Sequence, residues 1–260
     1  MILTVTQELH YTPSRIISLV PSQTALLHHL NLDKEVIGIT KFCIHPSTWF
    51  REKTRIGGTK SLHIEKIIAL QPDLLIANRE ENNQQDVELL AETIPVWVTD
   101  VKNLPDAIQM ILDVGTLTRK IAGSQRMAET ILDLFQKLSR HRKTIRTAYL
   151  IWKDPYMTVG KDTFIHDMMT RAGFENIYHI QSRYPECSLE EIRQLGCELV
   201  LLSSEPYPFK QKHIDELSDL LPDTKIVLVN GEMFSWYGSH LLDAPAYLNQ
   251  LYEAVTQNES

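Results

Sequence analysis

The stretch IEKIIALQPDLLIA, Ile64–Ala77, decides the fold. Its apolar residues at 64, 67, 68 and 70 have helical spacing, Gln71-Pro72-Asp73 stops the helix, and Leu74–Ala77 is a continuous apolar run of the kind a buried strand needs. A second copy lies 125 residues further on, LEEIRQLGCELVLL at Leu189–Leu202. Ile64, Ile67 and Leu70 fall on Leu189, Ile192 and Leu195, Asp73 falls on Glu198, and Glu80, just past the strand, falls on Glu205. Arg15, opening the first apolar run, falls on Arg146 at a shift of 131. Any two α/β units share some of this pattern. A helix, an acidic strand start, an apolar strand and a following Glu in one register favour a repeat of two similar lobes.

The chain around these copies alternates in the same way. Strands are expected at 15–20, 35–39, 74–77, 96–98, 147–152, 199–203 and 226–229. Helices are expected at 25–30 with Ser22 as N-cap, and at 64–70, 86–91, 164–172, 189–195, 213–221 and 241–255. The alternation breaks at 104–117 and 120–142, two helical patterns with no strand between them. Ile121, Met127, Ile131, Leu134, Phe135 and Leu138 stripe the second, a rod of about 35 Å at 1.5 Å per residue. The expected fold is α/β, two lobes bridged by one long helix. Residues 1–103 form the first lobe, 104–143 the linking helices and 144–260 the second lobe.

Composition narrows the function classes. The chain has 260 residues, 43% apolar and 23% charged, which suits a globular protein with an ample core. A net charge of −7 argues against nucleic acid as a partner, because phosphate neutralisation needs clustered Lys and Arg. No apolar run is long enough to span a membrane, and the first twenty residues show no signal-peptide pattern. Cys43, Cys187 and Cys197 have neither disulfide-framework nor zinc spacing and read as buried free thiols.

Catalytic signatures are absent from the sequence: no GxSxG, HExxH, GxxxxGK[ST] or GxGxxG occurs. Ile56-Gly57-Gly58-Thr59-Lys60 lacks phosphate-loop spacing and reads as a turn, and the adjacent His28 and His29 cannot face one way on a helix. What stands out is a set of aromatic and polar residues just past strand ends, where open α/β sheets bind ligands. Phe42 and His45 follow one strand, and Trp152 and Tyr156 another. Arg183 and Tyr184 precede a helix, Tyr207 and Phe209 follow Ser203, and Phe234, Trp236 and Tyr237 lie in GEMFSWYGSH before His240. Flat aromatic faces beside one Arg suit a large, partly apolar, oxygen-rich ligand.

These residues carry a resemblance. Arg15–Leu27 (RIISLVPSQTALL), VIGIT at Val36–Thr40, RIGG at Arg55–Gly58 and IEKIIALQPDLLIA resemble the first lobe of the substrate-binding proteins of metal-chelate ABC importers. VGKDTFIHDMMTRAGFENIY at Val159–Tyr178 and SLEEI at Ser188–Ile192 resemble the second lobe, so the likeness runs in order over nearly the whole chain. It implies two Rossmann-like lobes on one long helix and a non-enzymatic monomer with no cofactor of its own. It also implies capture of cobalamin, haem or a ferric siderophore in the cleft between lobes, with Phe42, His45, Trp152, Tyr156, Arg183, Tyr184, Tyr207, Phe234, Trp236 and His240 as ligand contacts. Each lobe would offer an acid to permease arginines, Glu80 with Glu81 on the first and Glu205 on the second.

Three departures qualify the likeness. Lys41-Phe42-Cys43-Ile44-His45-Pro46 lacks the acid many relatives carry there, and His240 stands where they often have Arg. Both weigh against a ferric-siderophore carboxylate or catecholate clamp. The family works in the periplasm or at the cell surface, and no export signal is visible. The alternative is an intracellular corrinoid- or metal-binding sensor, chaperone or enzyme on the same scaffold.

Overall fold

The computed structural model describes residues 1–3, 6–138 and 143–257. In chain order the elements are β1 (Ile2–Leu3), β2 (Ile16–Ser18), α1 (Pro21–His29), β3 (Val36–Ile39), α2 (Ser47–Glu52), β4 (Thr54–Arg55), β5 (Gly57–Gly58) and β6 (Ser61–Leu62). Next come α3 (Ile64–Ala69), β7 (Leu74–Asn78), α4 (Gln84–Ala91), β8 (Val96–Thr99), α5 (Leu104–Leu117) and α6 (Ile121–Gln136). The rest is β9 (Ile145–Leu150), α7 (Phe164–Arg171), β10 (Phe174–Asn176), α8 (Leu189–Gln194), β11 (Leu199–Ser203), α9 (Gln211–Leu220), β12 (Lys225–Val229), α10 (Glu232–Ser235) and α11 (Ala244–Thr256). No helix among the described residues is long and apolar enough to cross a membrane.

The chain divides into two compact units. The first holds Met1–Val101, Pro105–Ile131 and Tyr237–His240, and the second holds Lys102–Leu104, Leu132–Trp236 and Leu241–Ser260. The first unit carries a six-stranded parallel sheet in the order β1-β8-β7-β2-β3-β4, with β5 and β6 as a separate antiparallel pair. The second carries a four-stranded parallel sheet in the order β10-β9-β11-β12. Strands β7 and β11 are buried at every residue, as central parallel strands with covered faces require. On one face of the first sheet Ile17, Leu75, Ala77 and Val96 pack with Ile67 of α3 and Leu90 of α4. In the second unit Ala148, Leu150, Val200 and Leu202 pack with Ile192 of α8 and Leu217 of α9.

The repeat is physical. The spans of α3 and α8, and of β7 and β11, are offset by the same 125 residues as the sequence copies. Arg15 donates through Nε to the Gln71 carbonyl at 3.0 Å and through Nη2 to the Leu70 carbonyl at 2.5 Å. Arg146 donates through Nη2 to Leu195 O at 2.6 Å and through Nε to Leu195 O and Gly196 O at 3.2 and 3.3 Å, the corresponding carbonyls. Asp73 accepts from the Arg15 N–H at 2.9 Å, and Glu198 accepts from the Arg146 N–H at 2.9 Å. Gln71 and Gly196 both take the left-handed conformation that ends a helix, at φ 47° and 62°. Each unit therefore staples the start of one inner strand, β2 or β9, to the end of the equivalent helix, α3 or α8, by one guanidinium.

Several boundaries differ from the sequence reading. Ser22 is not the N-cap: Pro21 opens α1, Val20 is the N-cap, and Ser22 is buried inside the helix, because Pro suits the first helical position. Helix α6 ends at Gln136, about 24 Å after its start. Leu138 stays buried beyond that end, so the apolar stripe outlasts the helical bonding. Residues 139–142 of the expected rod lie outside the described residues. Strands β1, β4 and β10 and helices α2 and α10 have no counterpart in the sequence reading. Ile56–Lys60 does turn, as the β5–β6 hairpin. All three cysteines are free and buried.

Candidate functional site

The aromatic residues of the second unit stand on a small platform built past β9. Ile151 N–H donates to Met157 O and Met157 N–H to Trp152 O, which folds 151–157 back on itself. The segment 181–187 then lies alongside: Gly160 N–H donates to Arg183 O, Thr158 N–H to Pro185 O, and Cys187 N–H to Tyr156 O. Gly160 permits this approach, since a Cβ there would lie 2.6 Å from Gln181 O and 2.7 Å from Ser182 Cα. Tyr207 N–H donates to Ile151 O and brings in the loop after β11. Trp152, Tyr156, Arg183, Tyr184 and Tyr207 are thus carried by strand-end loops bonded to one another.

Rings and charges hold this platform from behind. Trp152 is 41% exposed. Its ring meets Tyr207 edge-on at 5.6 Å, and Tyr207 continues to Phe209 at 4.7 Å and His213 at 5.6 Å. Lys153 Nζ bridges both oxygens of Glu216 on α9, at 2.5 and 2.7 Å. That bond holds the Glu216 carboxyl below its ordinary range. His213 Nδ1 accepts from the Lys210 N–H at 2.8 Å, and burial pushes its pKa down, with neighbouring lysines acting in the same sense. Burial raises the Tyr156 hydroxyl pKa, opposed by Lys153. Arg183 is exposed and sits at φ 61°, its N–H donating to Asp162 Oδ1 at 2.6 Å. This bond leads the causes that lower the Asp162 pKa.

Phe234, Trp236 and Glu205 are placed differently. Phe234 is fully buried, its ring 5.1 Å from Tyr149 and 6.4 Å from Tyr247. Trp236 is buried, and its Nε1 donates to Glu205 Oε1 at 2.8 Å. Ser235 Oγ donates to the same oxygen at 2.8 Å. Gly231 makes room for this arrangement, because a Cβ there would stand 2.7 Å from Glu205 Cγ and 2.4 Å from Ser203 Oγ.

In the first unit, Phe42 is 50% exposed with Lys41 Nζ 5.0 Å from its ring centre. Cys43 is fully buried and anchors the loop: its Sγ lies 3.1 Å from both Thr24 Oγ1 and Thr40 Oγ1, and burial raises its pKa. The exposed His45 and the half-buried His240 stand together, ring centres 6.0 Å apart. Glu80 and Glu81 share one support, since both backbone N–H groups donate to Asn78 Oδ1, at 2.8 and 3.1 Å. Asn82 Oδ1 accepts from Asn78 N–H at 2.8 Å, and Lys60 Nζ donates to Glu80 O. Asn78 and Ser203 are equivalent in the repeat, and each places an acid two residues beyond its strand.

The structure brings together Trp152 with Tyr207, Trp236 with Glu205, and His45 with His240, and it packs Phe234 into the second unit's interior. Sequence reasoning passed over Asn78, Asn82, Lys153, His213 and Glu216, which position these groups. The run Asn78-Arg79-Glu80-Glu81-Asn82-Asn83 after a strand carried that signal for the two asparagines. Among the described residues no three His, Cys, Asp or Glu side chains gather to hold a metal ion.

The sequence profile of the periplasmic binding protein family matches residues 16–219. The chain belongs to that family. Among the relatives of this periplasmic binding protein is the vitamin B12-binding protein of Pectobacterium carotovorum subsp. carotovorum, 24% identical over 258 residues, covering 95% of this chain and 91% of the relative. The fold matches the periplasmic vitamin B12-binding protein of Vibrio cholerae with a TM-score of 0.79 at 20% identity, over 95% of this chain and 99% of that one. It matches the periplasmic heme-binding protein from Roseiflexus sp. RS-1 equally well, with a TM-score of 0.79 at 18% identity, over 94% of this chain and 98% of that one.

Proposed function

We propose that this protein is a non-enzymatic, monomeric solute-binding protein outside the cytoplasmic membrane, capturing a metal chelate of the corrinoid, haem or ferric-siderophore class for an ABC importer permease. The observation that carries the reading is the half-exposed Trp152, held edge-on by Tyr207 and backed by Phe209 and His213. A rigid, partly apolar ring surface fixed from behind suits a broad, flat ligand, since little side-chain freedom is lost on contact. The relatives named for vitamin B12 and heme favour that ligand class. The residues we assign to ligand contact are Trp152, Tyr156, Arg183, Tyr184 and Tyr207 in the second unit, and Phe42, His45 and His240 in the first. Trp236 and Phe234 serve as support, Trp236 for Glu205 and Phe234 for the core beneath. Glu80, Glu81 and Glu205 are assigned to permease docking.

The test is titration of the purified chain with cobalamin, haemin and a ferric hydroxamate, read by tryptophan quenching. One ligand should quench with a dissociation constant well below about 100 µM, a standard free energy beyond about −5.5 kcal/mol. Trp152→Ala should weaken that ligand by about tenfold or more. No saturable quenching by any of the three sinks the reading.

A further inference from the structure

We infer that His45 and His240 form a two-imidazole site for a borderline divalent transition-metal cation. Both residues belong to the first unit, although 195 positions separate them in sequence. His45 projects from a loop and His240 from a short 3-10 turn, Ser239–Leu242, and each segment is pinned by a buried neighbour. Cys43, fully buried between Thr24 and Thr40, fixes the loop two residues before His45. Leu241, fully buried, and Tyr237, 6% exposed, bracket His240. Gly238, at φ 95° and packed on Leu26 and Ser22, makes the turn that brings the segment there.

The ring separation fits shared ligation. With metal–nitrogen bonds of about 2.0–2.1 Å, each ring centre lies about 3.2 Å from the metal, so two rings on one ion have centres about 5.2 Å apart at a tetrahedral angle and about 6.4 Å apart when opposed. The observed 6.0 Å falls between those limits. Two packed rings can adopt the same separation. Solvent access and charge select the cation. His45 is exposed, so an ion can reach it. Burial leads the rise in the pKa of both Cys43 and Tyr237, and the charge of Glu81 adds to it in each, which puts negative potential beside both segments. Imidazole pairs suit nickel, copper and zinc rather than magnesium or calcium. Two protein ligands leave the other positions to water or to a ligand the metal carries.

This inference deepens the proposed function and rests on it only for the role of these histidines in ligand contact. The experiment is calorimetric titration of metal-stripped full-length protein with Ni²⁺ near neutral pH. One equivalent should bind, and His45→Ala and His240→Ala should each weaken it at least about tenfold. His10→Ala, at an exposed histidine elsewhere, should leave it unchanged. Copper-loaded protein should show electron-spin coupling to two imidazole nitrogens. If a variant loses its native circular dichroism, the matching Gln substitution replaces it. No saturable nickel binding, unchanged affinity in either variant, or coupling to fewer than two nitrogens overturns the site. Parallel cobalamin and haemin titrations separate the two proposals. Chelate binding without nickel binding removes only this inference, and nickel binding without chelate binding removes only the proposed function.

Discussion

The indole of Trp236 donates to Glu205 Oε1 at 2.8 Å, so the acid at the tip of β11 is held by its own unit. Ser235 donates to the same oxygen, and Gly231 leaves the space both need. Trp236→Phe keeps an aromatic ring in place and removes the donor together with part of the indole volume. The expected loss is about 1.5–3 kcal/mol, mainly that of one hydrogen bond to a charged acceptor. Trp236→Ala also empties the ring volume and should cost about 3–5 kcal/mol. Urea unfolding of the two variants checks the order. Equal stability of Trp236→Phe and the native chain would mean the indole bond contributes nothing.

Arg15 and Arg146 make matching bonds to helix-end carbonyls in two different sheets, which predicts similar energetics, with the exposed Arg146–Glu175 pair at 3.1 Å as an addition. Each guanidinium satisfies carbonyls at the end of a helix, and each strand start leans on the acid beside it. Arg15→Ala and Arg146→Ala should each destabilise the chain by about 1.5–3 kcal/mol. Arg79→Ala removes only the exposed pair with Asp100, its side chain 71% exposed, and should shift stability by less than about 1 kcal/mol. A large loss for Arg79, or a loss confined to one of the repeated arginines, contradicts the equivalence.

That equivalence was legible because burial writes itself into residue order. Leu74–Ala77 and Leu199–Leu202 must be apolar on both faces, and Asp73 and Glu198 must close the same strand start, so the 125-residue shift could be read directly. The platform under Trp152 was not legible, because Ile151–Met157, Gly160–Arg183 and Tyr207–Ile151 are backbone bonds that any side chain could accompany. Trp236 read as a loop aromatic because Gly231 and the short helix α10 leave no periodicity to count. Its partner Glu205 stood out only through the echo with Glu80. Lys153 and Glu216 lie 63 positions apart, and nothing local announces such a pair.

Acidification should weaken the fold through His213. Burial lowers its folded pKa, and its Nδ1 faces the Lys210 N–H, a donor that protonation would oppose with another donor. Lys153, Lys210 and Lys212 push in the same direction, and Glu216 pushes back. The unfolded chain, with a histidine pKa near 6.5, then takes up the proton first as pH falls. Stability from this group is full above about pH 6.5, declines below it, and levels off once the folded form protonates as well. His213→Gln keeps an acceptor at the third helical position without titrating. Its unfolding free energy should vary less between about pH 7.5 and 5.5 than that of the native chain. Some slope should survive, because burial lowers the His166 pKa too. An unchanged slope would exclude His213 as a contributor.

Removing charge without removing shape tests the docking role of the paired acids. Glu205→Gln still offers Oε1 to Trp236 and Ser235, whereas Glu205→Ala would strand both donors and confuse charge with packing. Glu80→Gln leaves intact the Asn78 side-chain bond to its backbone N–H. The double Gln variant should therefore fold normally and hold its chelate within about twofold of native affinity. If both acids steer the protein onto permease arginines, its association rate with the permease in low salt should fall by about tenfold or more. The salt dependence of that rate should flatten, since fewer charges remain to be screened. Stopped-flow association with the detergent-solubilised permease at two ionic strengths separates the outcomes. A variant that docks at the native rate but loses its chelate would move Glu80 and Glu205 from the docking surface to the ligand.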